Sequence, residues 1–362
     1  MSQPSLISGE ALAARLEDPA VLVLDVREPG EVAAWAFPGA TNVPLGELEG
    51  RLDEIPEDHE VVVVCAVGAR ATAGATLLAA AGHDVRVLEG GMAAWSSTYD
   101  EVEGSFAGAT VVQVRRRGKG CLSYVVGAGE RGVVIDPSLA TERYRAIAAR
   151  KGWTITHVLD THLHADHLSG ARALAEATGA ELWLNPGDPF AFAFTPISDG
   201  KAIELVPGVE LAVSSVSVPG HTEGSTMYQL GAAAIFTGDT LFLESVGRPD
   251  LADEAEAYAR HLYRSLHERI LPLSDEVAVF PAHFGPGVEV RAGVLVARPL
   301  GELRGELAPL ALDEADFVAW AVANVKDRPG NYQRIVRINA GREDAGGDAD
   351  ELETGPNRCA IA

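Results

Sequence analysis

The feature that most restricts the fold of this chain is a change of pattern near residue 100. Before it, short apolar runs such as Glu60–Val64 (EVVVV) alternate with helical patterns, which is typical of a parallel α/β sheet. After it, TVVQVRR, CLSYVVG and GVVIDP are consecutive strand-like runs joined by glycine-rich turns. The two patterns predict two separate sheets, and a length of 362 residues is sufficient for two domains.

We therefore predict two α/β domains and a tail. Residues 1–103 form a parallel sheet with flanking helices, and residues 104–340 form the second domain, with a polar linker expected across residues 96–109. Residues 341–362 are acidic and rich in Gly and Ala, which predicts disorder. The segment 127–132 matches G-x-G-x-x-G, but strands flank it on both sides, so we interpret it as a hairpin turn and not as a dinucleotide site.

Charge and cysteine content narrow the function classes. Asp plus Glu is 52 against 29 for Lys plus Arg, a net charge of −23, which disfavours nucleic acid and anionic membranes as partners. Three cysteines make no disulfide framework and fit a reducing, cytoplasmic setting. The first residues lack the pattern of a signal peptide. The most apolar stretch, residues 61–82, contains Arg70 and glycines, which indicates a strand followed by a helix rather than a membrane span.

The first candidate site is a cysteine between a strand and a helix. Cys65 follows the run VVVV and opens the loop Cys65-Ala-Val-Gly-Ala-Arg70. Backbone N–H groups at a helix start lower the pKa of a thiol, Arg70 adds positive charge, and Gly68 permits a tight turn. A buried strand-end cysteine without a role is the alternative.

The segments around this loop resemble single-domain rhodaneses, which are sulfurtransferases. The motifs are Leu24-Asp-Val-Arg-Glu-Pro29, Pro38-Gly-Ala-Thr-Asn-Val-Pro44 and Gly90-Gly-Met-Ala-Ala-Trp95, and the resemblance covers about residues 5–97. It implies that Cys65 accepts a sulfane sulfur and passes it on. The alternative interpretation of this domain is a non-catalytic docking or sensing module.

The second candidate site is a metal cluster. Thr161-His-Leu-His-Ala-Asp-His167 places three His and one Asp directly after a predicted strand, and imidazole with carboxylate suits Zn²⁺ or Fe²⁺. Further candidates follow apolar runs in glycine- or proline-marked turns, namely His221, Asp239 and His283. Ligands spread over several loops at strand ends are typical of sites that a rigid scaffold presents.

This set of residues, in this order, resembles the metallo-β-lactamase superfamily from about residue 110 to 287, which implies an αββα sandwich. The motif Gly247-Arg248-Pro249-Asp250 is similar to the Gly-Arg-x-Asp of persulfide dioxygenases. That resemblance implies one Fe(II) per chain, held by His162, His221 and Asp239. It also implies a role in holding the loop or the substrate for Arg248 and Asp250. Four further residues would position the ligands or bind a second metal, namely His164, Asp166, His167 and His283.

One alternative function, the expected partners and two cysteines complete the expectations. A glyoxalase II-like thioester hydrolase would use all seven ligand residues for two zinc ions, or for mixed zinc and iron. We expect a low-molecular-weight thiol persulfide, thiosulfate or sulfite, and O₂ as small-molecule partners. The sequence also allows a homodimer. Cys121 is predicted to be a core residue. Cys359 has no role by default, although the tail could carry sulfur to a site or inhibit it.

Overall fold

The computed structural model describes residues 4–206, 212–251, 254–285, 287–325, 328, 330–356 and 359, and it divides into two compact units. The first unit comprises residues 1–100, 115–120 and 354–356, and the second comprises residues 101–114, 121–353 and 357–362. Among the described residues, we find no helix with the length and apolar character needed to cross a bilayer.

A parallel sheet forms the centre of the first unit, in the strand order β1-β5-β4-β2-β3. The side chains of β4 alternate between two apolar clusters, with Val61 and Val63 in one and Val62 and Val64 in the other. Both faces of this sheet are therefore covered, as parallel sheets require. The elements are β1 (Ser5–Ile7), α1 (Gly9–Ala13), β2 (Val21–Asp25), α2 (Pro29–Ala34), β3 (Thr41–Asn42), α3 (Leu45–Leu48), a 3₁₀ helix (Glu49–Glu54), β4 (Glu60–Val64), α4 (Ala69–Ala80), β5 (Asp84–Leu88) and α5 (Gly91–Trp95).

Two mixed sheets form the second unit, with strand orders β12-β11-β10-β9-β8-β7-β6 and β13-β14-β15-β16-β17-β18. The strands of the first sheet and its helices are β6 (Tyr99–Phe106), β7 (Ala109–Arg116), β8 (Cys121–Ala128), β9 (Arg131–Ile135), α6 (Thr141–Lys151), β10 (Thr154–Leu159), α7 (Ala171–Thr178), β11 (Glu181–Leu184) and β12 (Thr195–Pro196). The other sheet and the remaining helices are β13 (Ala202–Glu204), β14 (Ala212–Ser217), β15 (Thr226–Leu230), β16 (Ala234–Gly238), α8 (Ala255–Arg264), a π-helical segment (Ser265–Ile270), β17 (Ala278–Pro281), β18 (Arg298–Pro299), α9 (Leu300–Glu306), a 3₁₀ helix (Ala308–Ala311), α10 (Glu314–Ala323), α11 (Tyr332–Asn339), a 3₁₀ turn (Gly346–Asp348) and α12 (Ala349–Leu352).

Aromatic rings join the two sheets of the second unit. Tyr124 of β8 lies 4.8 Å from the ring of Phe236 in β16 and 5.6 Å from that of Phe280 in β17. Helices α6 and α7 contact strands of the first sheet, while α8 and α10 pack against the core that includes the second. Strands β8 and β16 are buried along their whole length because sheet and helix cover opposite faces. The predicted α/β fold class is confirmed.

The hairpin interpretation of segment 127–132 is also confirmed. Strands β8 and β9 pair antiparallel across it, with Gly127 opposite Gly132. The glycines have a packing role, because a Cβ at Gly127 would lie 2.4 Å from the Trp153 ring. The indole therefore lies directly on the hairpin backbone.

The structure differs from the sequence expectation in two segments. Residues 99–106 of the expected linker form β6, and its turn to β7 uses Ala107 and Gly108 at φ of 50° and 86°. The strand escaped prediction because its polar residues hide the two-residue period. In the described part of the tail, residues 341–356, helix α12 stands where disorder was predicted, since Leu352 packs against Leu168 and Ile335. The prediction for residues 357–358 and 360–362 lies outside the described residues.

Candidate active sites

The loop after β4 surrounds the Cys65 thiol with backbone donors. Cys65 is 1% exposed, and its Sγ accepts hydrogen bonds from the N–H groups of Gly68 at 3.1 Å and Ala71 at 3.3 Å. Gly68 caps helix α4 at φ +105°, a conformation that favours glycine. Sγ thus lies at a helix N-terminus, where backbone donors stabilise a thiolate.

The positively charged residue next to this loop, Arg70, forms an ion pair with a carboxylate. Both terminal nitrogens of Arg70 donate to the Glu31 carboxylate of helix α2 at 2.7 Å. This hydrogen bonding lowers the pKa of Glu31 to about 2. Arg70 therefore anchors the Cys65 loop to α2. On the other side, Met92 donates its N–H to the Cys65 carbonyl at 2.8 Å, and a Cβ at Gly91 would meet that carbonyl oxygen at 2.3 Å.

The His-rich loop, residues 161–167, begins after β10 and is held by a residue that the sequence analysis missed. Asp136, at the end of β9, accepts hydrogen bonds from the N–H of Thr161 at 2.6 Å and from its hydroxyl at 2.9 Å. Its carboxylate also pairs with His164 Nε2 at 3.1 Å. Burial lowers the pKa of His164, but Asp136 outweighs it and raises the pKa well above its usual value. An Asp directly after an apolar strand was the available signal.

Three predicted ligand residues converge from both sheets. One ligand atom each of His162, His221 and Asp239 lie within 4.8 Å of one another, and all three residues are buried. Asp239 Oδ2 is 3.5 Å from His162 Nε2 and 3.4 Å from His221 Nε2. His162 follows β10, His221 follows β14 and Asp239 follows β16, so the ligands come from the ends of strands.

These three residues fit a metal ion. His162 Nε2, His221 Nε2 and Asp239 Oδ2 are buried and have no hydrogen-bond partner among the described residues. Atoms about 2.1 Å from one ion at a tetrahedral angle are about 3.4 Å apart, which matches the observed spacing. Burial lowers the pKa of His221 to about 4, and the neutral imidazole is the form that binds metals.

A second group contains three of the four residues of the further predicted set, without His164, and it contacts Asp239 through His283. Ligand atoms of Asp166, His167, His283 and Cys121 are within 4.8 Å of one another. Asp166 pairs with His167 Nδ1 at 3.0 Å and with His283 Nε2 at 2.9 Å, and Asp239 Oδ1 is 2.6 Å from His283 Nδ1. Cys121, which we expected in the core, is buried as predicted, but its Sγ belongs to this group.

The Gly-Arg-x-Asp segment shapes the site through its backbone. Arg248 is 2% exposed, and its guanidinium pairs with Asp250 at 2.7 Å and 2.9 Å. The Arg248 carbonyl oxygen is 2.9 Å from His221 Nδ1, which leaves Nε2 of that ligand facing Asp239. Asp250 also binds Arg328 at 2.9 Å. Asp188, a further residue missed from the sequence, accepts hydrogen bonds from the backbone of Leu163 and Gly224 in two loops of the site.

Comparisons with known proteins agree with this architecture. A model of the rhodanese-like domain matches residues 8–98, and a model of the metallo-beta-lactamase superfamily matches residues 116–283. The hydroxyacylglutathione hydrolase of Polaromonas sp. is 34% identical over 224 residues, which cover 60% of this chain and 81% of the relative. An uncharacterised protein of Mycobacterium leprae is 34% identical over 190 residues, covering 45% and 86%.

Two solved structures are each similar to more than half of this chain. ETHE1 from Myxococcus xanthus is 27% identical with a TM-score of 0.57, over 64% of this chain and 99% of that protein. A metallo-beta-lactamase from Staphylococcus aureus is 25% identical with a TM-score of 0.56, over 62% and 70%. The chain therefore belongs to the metallo-beta-lactamase superfamily, and a rhodanese-like domain precedes the metallo-beta-lactamase domain.

Proposed function

We propose that this chain is a bifunctional sulfur enzyme. Its second unit oxidises a low-molecular-weight thiol persulfide with O₂ to sulfite and free thiol, using one Fe(II) held by His162, His221 and Asp239. Its first unit transfers sulfane sulfur through Cys65. Written for a thiol RSH, the oxidation is RSSH + O₂ + H₂O → RSH + SO₃²⁻ + 2H⁺, in which the outer sulfur is oxidised and O₂ is reduced.

The observation that carries the oxidase proposal is the set of three partnerless ligand atoms. Two imidazole nitrogens and one carboxylate oxygen form the 2-His-1-carboxylate set that non-haem Fe(II) oxygenases use. When bound there, Fe(II) supplies open coordination positions for persulfide and O₂. The Arg248 carbonyl orients His221, and Asp136 fixes the loop that carries His162.

The neighbouring proteins and the domain combination support the same proposal. ETHE1 from Myxococcus xanthus aligns over 99% of its length with this chain, and Gly247-Arg248-Pro249-Asp250 is similar to the Gly-Arg-x-Asp motif of persulfide dioxygenases. A rhodanese-like domain and a persulfide oxidase both handle sulfane sulfur, whereas a thioesterase does not. The backbone donors around Cys65 Sγ suit a thiolate or a persulfide carrying an outer sulfur.

Oxygen and product measured together test the oxidase activity. With glutathione persulfide, the iron-loaded chain should consume one O₂ for each sulfite formed, and His221→Ala should abolish both. Cys65→Ala serves as the matched control, because it removes a thiol from the other unit and should leave the stoichiometry unchanged. Sulfite formation without O₂ uptake would contradict the proposal.

Sulfur transfer is tested with the same variant. Cys65→Ala should eliminate sulfane-sulfur transfer from thiosulfate to a thiol acceptor. Unchanged transfer in this variant would instead support a docking or sensing module, the alternative for the first unit.

A second function rests on the group beyond Asp239. Asp166, His167 and His283 are buried within ligand distance of one another, so the chain also offers donors for a second metal. A relative with 34% identity is named hydroxyacylglutathione hydrolase. A dinuclear hydrolase would cleave a hydroxyacylglutathione thioester at a rate that depends on two zinc ions and not on O₂. Loss of that hydrolysis in Asp166→Asn, with O₂ uptake absent in every metal form, would favour this function.

A further inference from the structure

A cysteine from the C-terminal segment lies at the metal-site cluster. Cys359 is 4% exposed. Its Sγ, a carboxylate oxygen of Asp239 and a ring nitrogen of His283 all lie within 4.8 Å of one another. Asp239 is shared with the set that includes His162 and His221, so the thiol is beside the proposed iron ligands. The rhodanese-like reactions described above make no use of this cysteine.

One carboxylate oxygen of the residue beside this thiol is without a partner. Asp239 Oδ2 is buried and accepts no hydrogen bond among the described residues, and it lies 3.5 Å from His162 Nε2 and 3.4 Å from His221 Nε2. Buried polar atoms are nearly always satisfied by a partner, so an atom that remains unsatisfied indicates a bound group. The Cys359 Sγ therefore lies next to a carboxylate that has one oxygen available for a metal.

The backbone holds Cys359 in this place. The N–H of Arg248 donates to the Cys359 carbonyl at 3.0 Å, while the carbonyl of Arg248 is 2.9 Å from Nδ1 of His221. One residue therefore fixes both a predicted metal ligand and the tail cysteine. Before it in the chain, Glu353 accepts a hydrogen bond from the N–H of Leu168, which directly follows the His-rich loop.

We propose that Cys359 is a thiol ligand of the metal centre, held at a coordination position that a persulfide substrate takes over when it binds. Sulfur is a soft donor that binds Fe and Zn readily. On exchange, the outer sulfur of RSSH binds as RSS⁻ and its proton passes to the departing Cys359 thiolate, so charge balances and no redox change occurs. The exchange step rests on the proposed function, whereas the ligation does not.

Cobalt tests the ligation without any turnover. The full chain loaded with Co²⁺ in place of iron should show a near-ultraviolet sulfur-to-cobalt charge-transfer band. Cys359→Ser should reduce this band at least twofold at unchanged cobalt content, and Cys359→Ala should do the same. Cys65→Ser is the matched control and should leave the band intact. No band in the parent chain, or a full band in both Cys359 variants, would overturn the proposal.

The contribution of Cys121 to the band must be distinguished from that of Cys359, because the Cys121 Sγ is also near His283. In Cys121→Ser the Cys359-dependent part of the band should persist. A band that disappears with Cys121→Ser and survives Cys359→Ser assigns the thiol ligand to Cys121 and contradicts the proposal.

Substrate exchange is measured by alkylation under anaerobic conditions. Glutathione persulfide added to the metal-loaded chain should speed iodoacetamide labelling of Cys359 at least tenfold, as read by mass spectrometry, while glutathione itself should have little effect. Unchanged labelling overturns the exchange step. If the cobalt band depends on Cys359 but persulfide supports no O₂ uptake, the proposed function fails and the ligation stands.

Discussion

Asp25 and Asp239 are both buried, but their neighbours give them different roles. Asp25 is paired with the buried Arg27 at 2.6 Å and accepts a hydrogen bond from its N–H at 3.0 Å. Asp239 Oδ2 faces two imidazole nitrogens and has no hydrogen-bond partner in the part of the chain that the structure describes. A carboxylate whose charge is compensated within the protein stabilises the fold, and one with a partnerless oxygen is available to a metal.

Removing Asp25 should destabilise the first unit. Asp25→Ala leaves the Arg27 guanidinium buried and unpaired, and breaking a buried pair costs about 3–5 kcal/mol. Urea unfolding of the full chain, followed at the transition of this unit, measures the loss. The matched control is Glu47→Ala, which removes an exposed partner of Arg51 and should cost at most about 0.5 kcal/mol. A loss below 1 kcal/mol for Asp25→Ala would contradict this account.

Asp136 is predicted to tune metal binding without touching the metal. Asp136→Asn weakens the contacts to Thr161 and His164 that hold the loop, and loss of such outer contacts lowers metal affinity about 10–100-fold. Competition with a chromophoric chelator measures the affinity. Asp199→Asn, at an exposed position, should leave the affinity unchanged. Equal affinities for Asp136→Asn and the parent chain would show that this carboxylate is not a positioning group.

At the scale of elements, both sites depend on short turns that leave no room for a side chain. Gly220 adopts φ +143°, and a Cβ there would lie 2.4 Å from the Leu262 Cα in helix α8. The next residue is His221, so the helix and the ligand loop are in direct contact at this glycine. The sequence predicted the turn from its Pro-Gly pair, but the approach of α8 is a long-range contact that local patterns do not encode.

Gly220→Ala should therefore displace His221. The strain and the clash together cost about 1–3 kcal/mol or more, and metal affinity should fall by at least tenfold. Isothermal titration with Fe²⁺ under anaerobic conditions measures the affinity. Gly46→Ala, where a Cβ meets nothing within 4 Å, is the control and should bind metal normally. Normal binding by Gly220→Ala would refute the proposed contact.

The ion pair between helices α2 and α4 has a defined pH dependence. The Glu31 pKa is lowered from 4.5 to about 2 by hydrogen bonding to Arg70. Because the folded pKa is the lower one, the stabilisation is complete above about pH 4.5 and is lost as the pH falls toward 2. NMR titration of the Glu31 carboxyl carbon should give a midpoint near 2, and Arg70→Gln should move it toward 4.5. An identical midpoint in both chains would rule out this pairing.

For the whole molecule, the sequence was sufficient to predict the fold class, the two kinds of domain and the strand-end placement of the metal residues. The family resemblance implied that His162, His221 and Asp239 form one group, but the residue pattern alone could not predict that Asp239 also contacts His283, because this contact depends on how two sheets meet. It also left Cys359 without a role, since the tail composition favours disorder and the hydrogen bond to Arg248 joins residues far apart in sequence. The domain boundaries at residues 103 and 340 stay predictions.

The most direct test of the central claim combines metal analysis with oxygen uptake on one preparation of the full chain. The account predicts one iron per chain, O₂ uptake with glutathione persulfide that rises in proportion to iron content, and no uptake after replacement of iron by zinc. Two zinc ions per chain, hydrolysis of a glutathione thioester and no O₂ uptake at any iron content would contradict it.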